Sequence, residues 1–486
     1  MPGETTNRSA FPWRHLSGAI LVTTLAIIPL DYGGTRSSGT WLLVGLVGSA
    51  SLCWSVGLIQ EGRLPWSPPF VLLGLGMLVL AAIPWLVHLT EPTSVTAFSG
   101  AHFSRVAARW PENVISHDLG ASVARQASLA LVLWMVADLS QDHTWIVAIA
   151  MVLVATAAIV TLIALIQNQL HVNYFFVKNG SKQPGYGWGP FFHHTSAGAY
   201  LNTAWPLAAA LAALSRRFVP SGRKQLLIAT ICLAALILLL GAHASHISRF
   251  PQVAALLVVP FFLAGLKSSF AMPSRIQLAT VIGGILLVVF AVGRSGDIAQ
   301  RWKQLKFSRM SHAEAAPPEN LWPALVREDL LIPNRYNAGM FGDRGEAQRA
   351  AWRAIGARPL TGHGPGNWLG AVSHYSTDPY VRTFYLYLQF THEDFLQAWV
   401  EWGLPGCISL VCLLTGGLLV MLRFPLPLNS GETFLSLAAA SGLAAVLLQS
   451  LIDFPLQNPA VALNTHVLAG LCWSRAGTSR IQPLSI

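Results

Sequence analysis

The stretch Thr391-His392-Glu393-Asp394-Phe395-Leu396-Gln397 places an imidazole and two carboxylates where a long polar segment runs into a long apolar one. Imidazole changes charge near neutral pH and can accept a proton from a hydroxyl, including that of a sugar, so His392 is a candidate general base. Glu393 and Asp394 could orient it, although residues adjacent in sequence do not face each other on a helix. The alternative is a polar anchor at a membrane surface. A second candidate is Arg249, which follows Ala242-His243-Ala244-Ser245-His246-Ile247-Ser248 and opens an apolar run. Its planar fork suits bidentate phosphate binding, and the alternative is an arginine that snorkels to the surface. His193-His194-Thr195-Ser196 enters another apolar run, and its two histidines and two hydroxyls, His194 and Ser196 among them, could bind an anion or a sugar, or equally cap and anchor the helix. No His-x-x-x-His pair and no thiolate accompany them, so no metal site is expected. Asp453, in Asp453-Phe454-Pro455-Leu456-Gln457-Asn458-Pro459, lies at the end of a further apolar run. A carboxylate so placed is costly without a partner, and an arginine or His392 would serve.

The elements that carry these residues follow from composition. Of 486 residues, 53% are hydrophobic and 11% are charged, with a mean hydropathy of +0.51. Soluble proteins carry about 25% charged residues. Apolar runs of spanning length recur along the whole chain, which predicts one all-α polytopic membrane domain over 1–486. About twelve spans are expected, near 16–30, 41–59, 70–89, 121–139, 144–166, 197–214, 225–241, 250–266, 276–293, 402–422, 434–452 and 459–474. Arg8, Arg14, Arg63, Arg216, Arg217, Arg223, Lys224, Lys267, Arg275, Arg423, Arg475 and Arg480 then all fall on one side, the inner one by the positive-inside rule. Both termini are expected inside. The net charge of +10 is that of basic loops, and no nucleic-acid partner is expected. Cys53, Cys232, Cys407, Cys412 and Cys472 sit in or beside apolar runs without a CxxC pair and read as small buried hydrophobes.

The outer side receives the long segments, above all 294–394 between the ninth and tenth spans, too long to be mere connection. Within it, Asp343-Arg344-Gly345-Glu346 leads into Gln348-Arg349-Ala350-Ala351-Trp352-Arg353-Ala354-Ile355. Arg349 and Arg353 share a face, and Ala351, Trp352 and Ile355 suggest an apolar stripe, so an amphipathic helix ending near Pro359 is expected. It lies on the membrane or on the bundle, and Arg344 could face an anionic lipid head group. Gly362-His363-Gly364-Pro365-Gly366 then forces a tight turn.

Taken in order, these motifs resemble the O-antigen ligase and polymerase superfamily. Ser-Arg opens a span, a large external loop ends in Gly-x-Gly-Pro-Gly, and His-x-Asp-x-Leu-Gln, Glu-x-Gly-Leu-Pro-Gly and Asp-Phe-Pro-Leu-x-x-Pro follow, over about 185–460. The resemblance implies a metal-independent glycosyltransferase without a cofactor, in the bacterial cytoplasmic (inner) membrane. It would transfer a glycan from undecaprenyl diphosphate to an acceptor hydroxyl, on a glycan or lipid, at the outer face. His392 would take the place of the family's acceptor-activating histidine, and Arg249 that of its diphosphate-holding arginine. Many members carry Asn, often with Arg, where this chain has His193-His194-Thr195-Ser196, so Arg344 or His194 may have to stand in for a second phosphate ligand. A polymerase of the same superfamily shares the donor and differs in acceptor. A lipid-linked glycan transporter or flippase is the alternative of another class, and would place its ionisable residues at mid-membrane.

The charge asymmetry makes a direct prediction. A reporter fused near Ser311 should be active only if it is a periplasmic one, and a cytoplasmic signal there would overturn the orientation.

Overall fold

The chain was analysed as a computed structural model that describes residues 12–86, 119–169, 188–218, 223–245, 248–269, 342–376, 390–423 and 431–478. Segments that are apolar on all sides form helices because a helix satisfies its own backbone where no water can. In chain order these are α1 (Trp13–Ile27), α2 (Ser37–Glu61), α3 (Pro69–Leu86), α4 (Leu119–Leu139) and α5 (His143–Gln169). They continue with α6 (His194–Phe218), α7 (Arg223–Ser245), α8 (Arg249–Ser269), α9 (Gly342–Ala357) and α10 (Trp368–Tyr375). The last four are α11 (Asp394–Leu410), α12 (Gly416–Arg423), α13 (Gly431–Ser450) and α14 (Pro459–Thr478). No strand occurs among the described residues.

Among the described residues, five segments are long and apolar enough to cross a membrane: Trp13–Leu30, Ser37–Glu61, Leu119–Leu139, His143–Gln167 and Asp394–Met421. Shorter apolar helices cover Phe70–Trp85, Leu227–His243, Arg249–Pro260 and Phe434–Ser450. The expected span at 276–293 lies outside the described residues. Large apolar side chains point outward from these helices, among them Leu52, Ile59, Leu227, Ile237 and Leu257. Such a belt would be untenable in water and suits lipid. The chain is therefore a helical membrane protein.

The bundle packs around α4, α6, α13 and α14. Helix α4 lies on α2 and α14, α13 lies on α6, α8 and α14, and α11 lies on α3. Small residues set the close crossings: a Cβ on Gly470 of α14 would stand 2.7 Å from the Leu133 carbonyl of α4. At one end of α4 the buried Asp138 closes a clamp. Arg63 donates to both its oxygens at 2.8 and 3.0 Å, and Trp54 Nε1 and the Trp66 N–H donate at 2.9 Å each. Arg14 adds its charge at 3.7 Å. The paired carboxylate raises the Arg63 guanidinium above its already high ordinary value.

The other end is organised by a break in α11. Gly403 sits at φ 69°, ψ −174°, inside an otherwise helical run. Pro405 has no N–H for the Glu401 carbonyl, and the Gly364 N–H reaches it instead at 3.0 Å. The Leu404 N–H turns away to Pro359 O at 2.9 Å, and the Val400 carbonyl it leaves takes the His363 N–H at 2.8 Å. The break thus docks onto the Gly362–Gly366 turn, whose three glycines all have positive φ. Helix α9 packs on α10 and α11 above it through a small core of Ala347, Ala350, Ala351, Ala354, Ile355, Trp368, Val372 and Val400.

Three expectations change here. The tenth span, expected from 402, is preceded by a further helical stretch from Asp394, because the Gly-Leu-Pro sequence breaks the helix without ending it. Trp352 is not part of the buried stripe of α9; it is 57% exposed and meets Trp399 edge-on, while the stripe is made by alanines and Ile355. Of the five cysteines only Cys472 is buried. The other four lie at half-exposed positions, since an apolar run in a membrane helix has an outward face as well as an inward one.

The docked break predicts a sharp contrast between glycines. A Cβ on Gly403 would lie 2.1 Å from the Leu360 carbonyl oxygen, at a backbone angle unsuited to it, whereas one on Gly345 in α9 would meet nothing nearer than Arg349 at 3.6 Å. Gly403→Ala should sharply lower the melting temperature of detergent-purified protein. Gly345→Ala should leave it unchanged or raise stability by about 0.5–1 kcal/mol. Equal melting curves for the two variants would contradict the docking.

Candidate active site

His392 is held in a left-handed backbone conformation, φ 60°, which is uncommon outside glycine. Its neighbours brace it on both sides. The Thr391 hydroxyl donates to the Glu393 carbonyl at 2.5 Å and accepts the Glu393 N–H at 3.1 Å, and the Thr391 N–H donates to Gln397 Oε1 at 3.2 Å. Gln397 Nε2 in turn donates to Glu401 Oε1 at 3.0 Å, and Glu401 Oε2 accepts the Gly366 N–H at 3.0 Å. One line of hydrogen bonds therefore runs from the glycine turn through Glu401 and Gln397 to the backbone that aims His392.

The imidazole faces a carboxylate from the loop after α13. His392 Nδ1 lies 3.8 Å from Asp453 Oδ1, with the carboxylate side chain only 1% exposed. The ring also meets Phe454 edge-on at 4.9 Å between centroids, and Phe454 packs on Phe390 at 4.5 Å and His193 at 5.4 Å. The Asp453 carboxylate accepts from Gln449 Nε2 at 3.3 Å, and the same amide reaches the Thr195 carbonyl at 3.3 Å. The end of α13 is thereby tied to the first turn of α6.

Glu393 and Asp394 do not orient His392, contrary to one expectation. Glu393 is the N-cap of α11 and accepts the Leu396 N–H at 3.0 Å. Asp394 is buried and points into the loop after α13, accepting the Leu456 N–H at 3.0 Å and Gln457 Nε2 at 3.1 Å. It fixes the turn that presents Asp453, and so acts on the imidazole at one remove. On a helix start, successive side chains diverge, which is why three neighbours in sequence find three different partners.

His194 and Ser196 lie in the first turn of α6. His194 stacks on His193 at 4.9 Å, and Ser196 is buried. It is His193, bonded to the Thr195 hydroxyl at 2.6 Å, that contacts Phe454. Arg249 is the first residue of α8, at the same end of the bundle, with α8 packed on α13. The corner that delivers it is fixed by Asn202 Nδ2 and His243 Nε2, which both donate to the Pro251 carbonyl at 2.9 and 3.1 Å. Arg344 falls in the first turn of α9, and its side chain lies outside the described residues. Gln449 was not singled out from sequence, and Phe454 only as part of the Asp453-Phe454-Pro455 motif. The four-residue spacing of Gln449 and Asp453, across the end of α13, was the signal available.

These parts form a candidate site: an imidazole beside a buried carboxylate, at the end of a helical bundle where an arginine opens a neighbouring helix. A family model described as O-Antigen ligase matches residues 228–411, so over that segment the chain is similar to O-antigen ligases, as the motifs implied. The match takes in Arg249, Arg344, His392 and Asp394, and leaves His194, Ser196 and Asp453 outside. None of the curated proteins compared with the chain matches it.

Burial pushes the Glu393 carboxyl up to about 7, against the opposing pull of the Leu396 and Phe395 N–H groups. Its folded value exceeds the unfolded one, so its contribution to stability is complete below about 4.5 and is lost as pH rises through about 7. Melting curves between pH 4.5 and 8 should show a decline in wild-type stability that Glu393→Gln flattens. Parallel curves for the two would place Glu393 outside this balance.

Proposed function

We propose that the chain transfers a glycan from an undecaprenyl-diphosphate carrier to an acceptor hydroxyl at the outer face of the cytoplasmic membrane, as a ligase. The observation that carries this reading is His392 Nδ1 set against the buried Asp453, which leaves Nε2 as the ring nitrogen able to take a proton. A spacing of 3.8 Å is longer than a hydrogen bond, and such contacts commonly tighten when substrate is bound. The acceptor oxygen attacks the anomeric carbon of the donor sugar. Its proton passes to His392, the bond from that carbon to the diphosphate oxygen breaks, and undecaprenyl diphosphate departs with the electron pair. Asp453 stabilises the imidazolium that forms. Arg249 stabilises the charge that develops on the departing diphosphate, with Arg344 or His194 as the second cationic group.

Both termini inside and the 294–394 loop outside complete this reading. A polymerase would use the same donor chemistry on a growing glycan and differs only in the acceptor. The gathering of His392, Asp394 and Asp453 at one end of the bundle supports an enzyme over a flippase, whose ionisable groups would gather at mid-membrane.

The test is in vitro transfer from a lipid-linked glycan to defined acceptors. His392→Ala should lower single-turnover transfer by about 10²–10⁴-fold. Arg249→Ala should abolish transfer, and Arg249→Lys should recover little, since a point charge replaces a bidentate fork. Asp453→Asn should slow the chemical step more than it weakens substrate binding. Wild-type rates in both the His392 and Arg249 variants would overturn the assignment.

A further inference from the structure

The side of α9 that packs on the bundle is made of Ala347, Ala350, Ala351, Ala354 and Ile355. Its other side turns Arg349, Trp352 and Gly356 outward, three positions spaced to share one face. The face continues past the helix end to Leu360, which is 64% exposed. Trp352 meets Trp399 edge-on at 6.0 Å between centroids, and Trp399 Nε1 donates to the Pro359 carbonyl at 2.9 Å. The two indoles and the Pro359-Leu360 corner therefore form one surface patch.

The patch sits at a definite level of the bundle. Trp85, near the end of α3, donates to the Thr361 carbonyl at 3.2 Å, and a Cβ on Gly364 would stand 3.3 Å from the Trp85 ring. Just back along α3, Ile83 and Leu80 point outward and belong to the apolar belt that suits lipid. That belt thus runs up to the segment that carries Leu360. The chemistry changes at this level in the way a bilayer surface does. Below it the outward residues are aliphatic, and at it they are indoles, whose apolar bodies and N–H groups favour the headgroup region. Arg349, on the same face as Trp352, brings a guanidinium that complements lipid phosphate. A protein seated on the patch would have to push aside the lipid around α3, so continuity with the belt favours lipid as the occupant.

We infer that Trp352, Trp399 and Leu360 form an interfacial anchor that sets α9 against the headgroup layer of the bilayer, with phospholipid as its partner. The break at Gly403 then lies at the bilayer boundary, because Gly403 packs against the Leu360 carbonyl. The apolar stretch after Gly403 enters the hydrocarbon, and the stretch from Asp394 stands at the level of the headgroups. The anchor rests on the membrane reading of the bundle and holds whatever reaction the site performs.

Site-specific photocross-linking tests this on the full-length chain in liposomes of phosphatidylethanolamine and phosphatidylglycerol. The photoreactive residue p-benzoylphenylalanine replaces Trp352, Leu360 or, as a lipid-facing reference, Ile237, one at a time. Irradiation should add the mass of a phospholipid to the chain at Trp352 and at Leu360, as at Ile237. Size-exclusion profiles check that each variant is folded. A second measurement keeps natural side chains. Lipids brominated high on their acyl chains should quench the tryptophan emission of wild type more than that of a Trp352→Phe, Trp399→Phe double variant. The anchor is overturned if Ile237 yields lipid adducts and neither Trp352 nor Leu360 does, meaning the patch faces water. It is equally overturned if those two positions give cross-linked dimers in place of lipid adducts, meaning a second copy covers it, or if the double variant is quenched as wild type is.

Discussion

Everything at the site end of the bundle depends on one backbone-on-backbone contact, that between the Gly362–Gly366 turn and the break at Gly403. Neither partner could form alone at acceptable cost. A membrane helix interrupted by Gly-Leu-Pro leaves carbonyls at Val400 and Glu401 without their usual donors, and unsatisfied carbonyls are expensive where water is scarce. A turn with three positive-φ glycines leaves N–H groups that need acceptors. Each supplies what the other lacks, and the contact is close because neither Gly362 nor Gly403 has a side chain; a Cβ on Gly362 would stand 2.5 Å from the Gly403 nitrogen. The break is also the reason Glu401 faces the turn, and hence the reason Gln397 and Thr391 are held. The strained backbone of His392 is thus sustained by a line of bonds that begins at the Gly362–Gly366 turn, which is how a left-handed histidine persists.

Two arms meet at the imidazole. One is this line along α11, which sets direction. The other comes from α13 through Gln449, Asp453 and Phe454, which sets charge and position. Phe454 matters in the second arm because three rings converge on it, from Phe390, His392 and His193. It excludes water from one side of the His392–Asp453 pair, and a charge interaction gains strength in a drier setting. Asp394 links the arms. It belongs to α11 but holds the loop after α13, so the position of Asp453 relative to His392 is fixed by a residue two places from that histidine.

Sequence reading located the parts better than their connections. The order of motifs from Ser248-Arg249 to Asp453-Phe454-Pro455 was legible because each is a local departure from an apolar background. The helices followed from runs of apolar residues, and starts such as Arg249 and Pro459 lay within a residue of expectation. The pairing of His392 with Asp453 was one of two partners that electrostatics allowed. The separate destinations of Glu393 and Asp394 were not legible, since they depend on where a helix begins to within one residue.

The two ends of the molecule treat buried charge differently, and the difference separates scaffold from site. Asp138 is met by two arginines, an indole and a backbone N–H, a set that completes its hydrogen bonding and joins α2, α4 and the segment before α3. Nothing is left over there for a ligand. At the other end Asp453 stands beyond hydrogen-bonding distance of the His392 imidazole and accepts from Gln449. The completed clamp supplies rigidity at one end, away from the His392–Asp453 pair at the other.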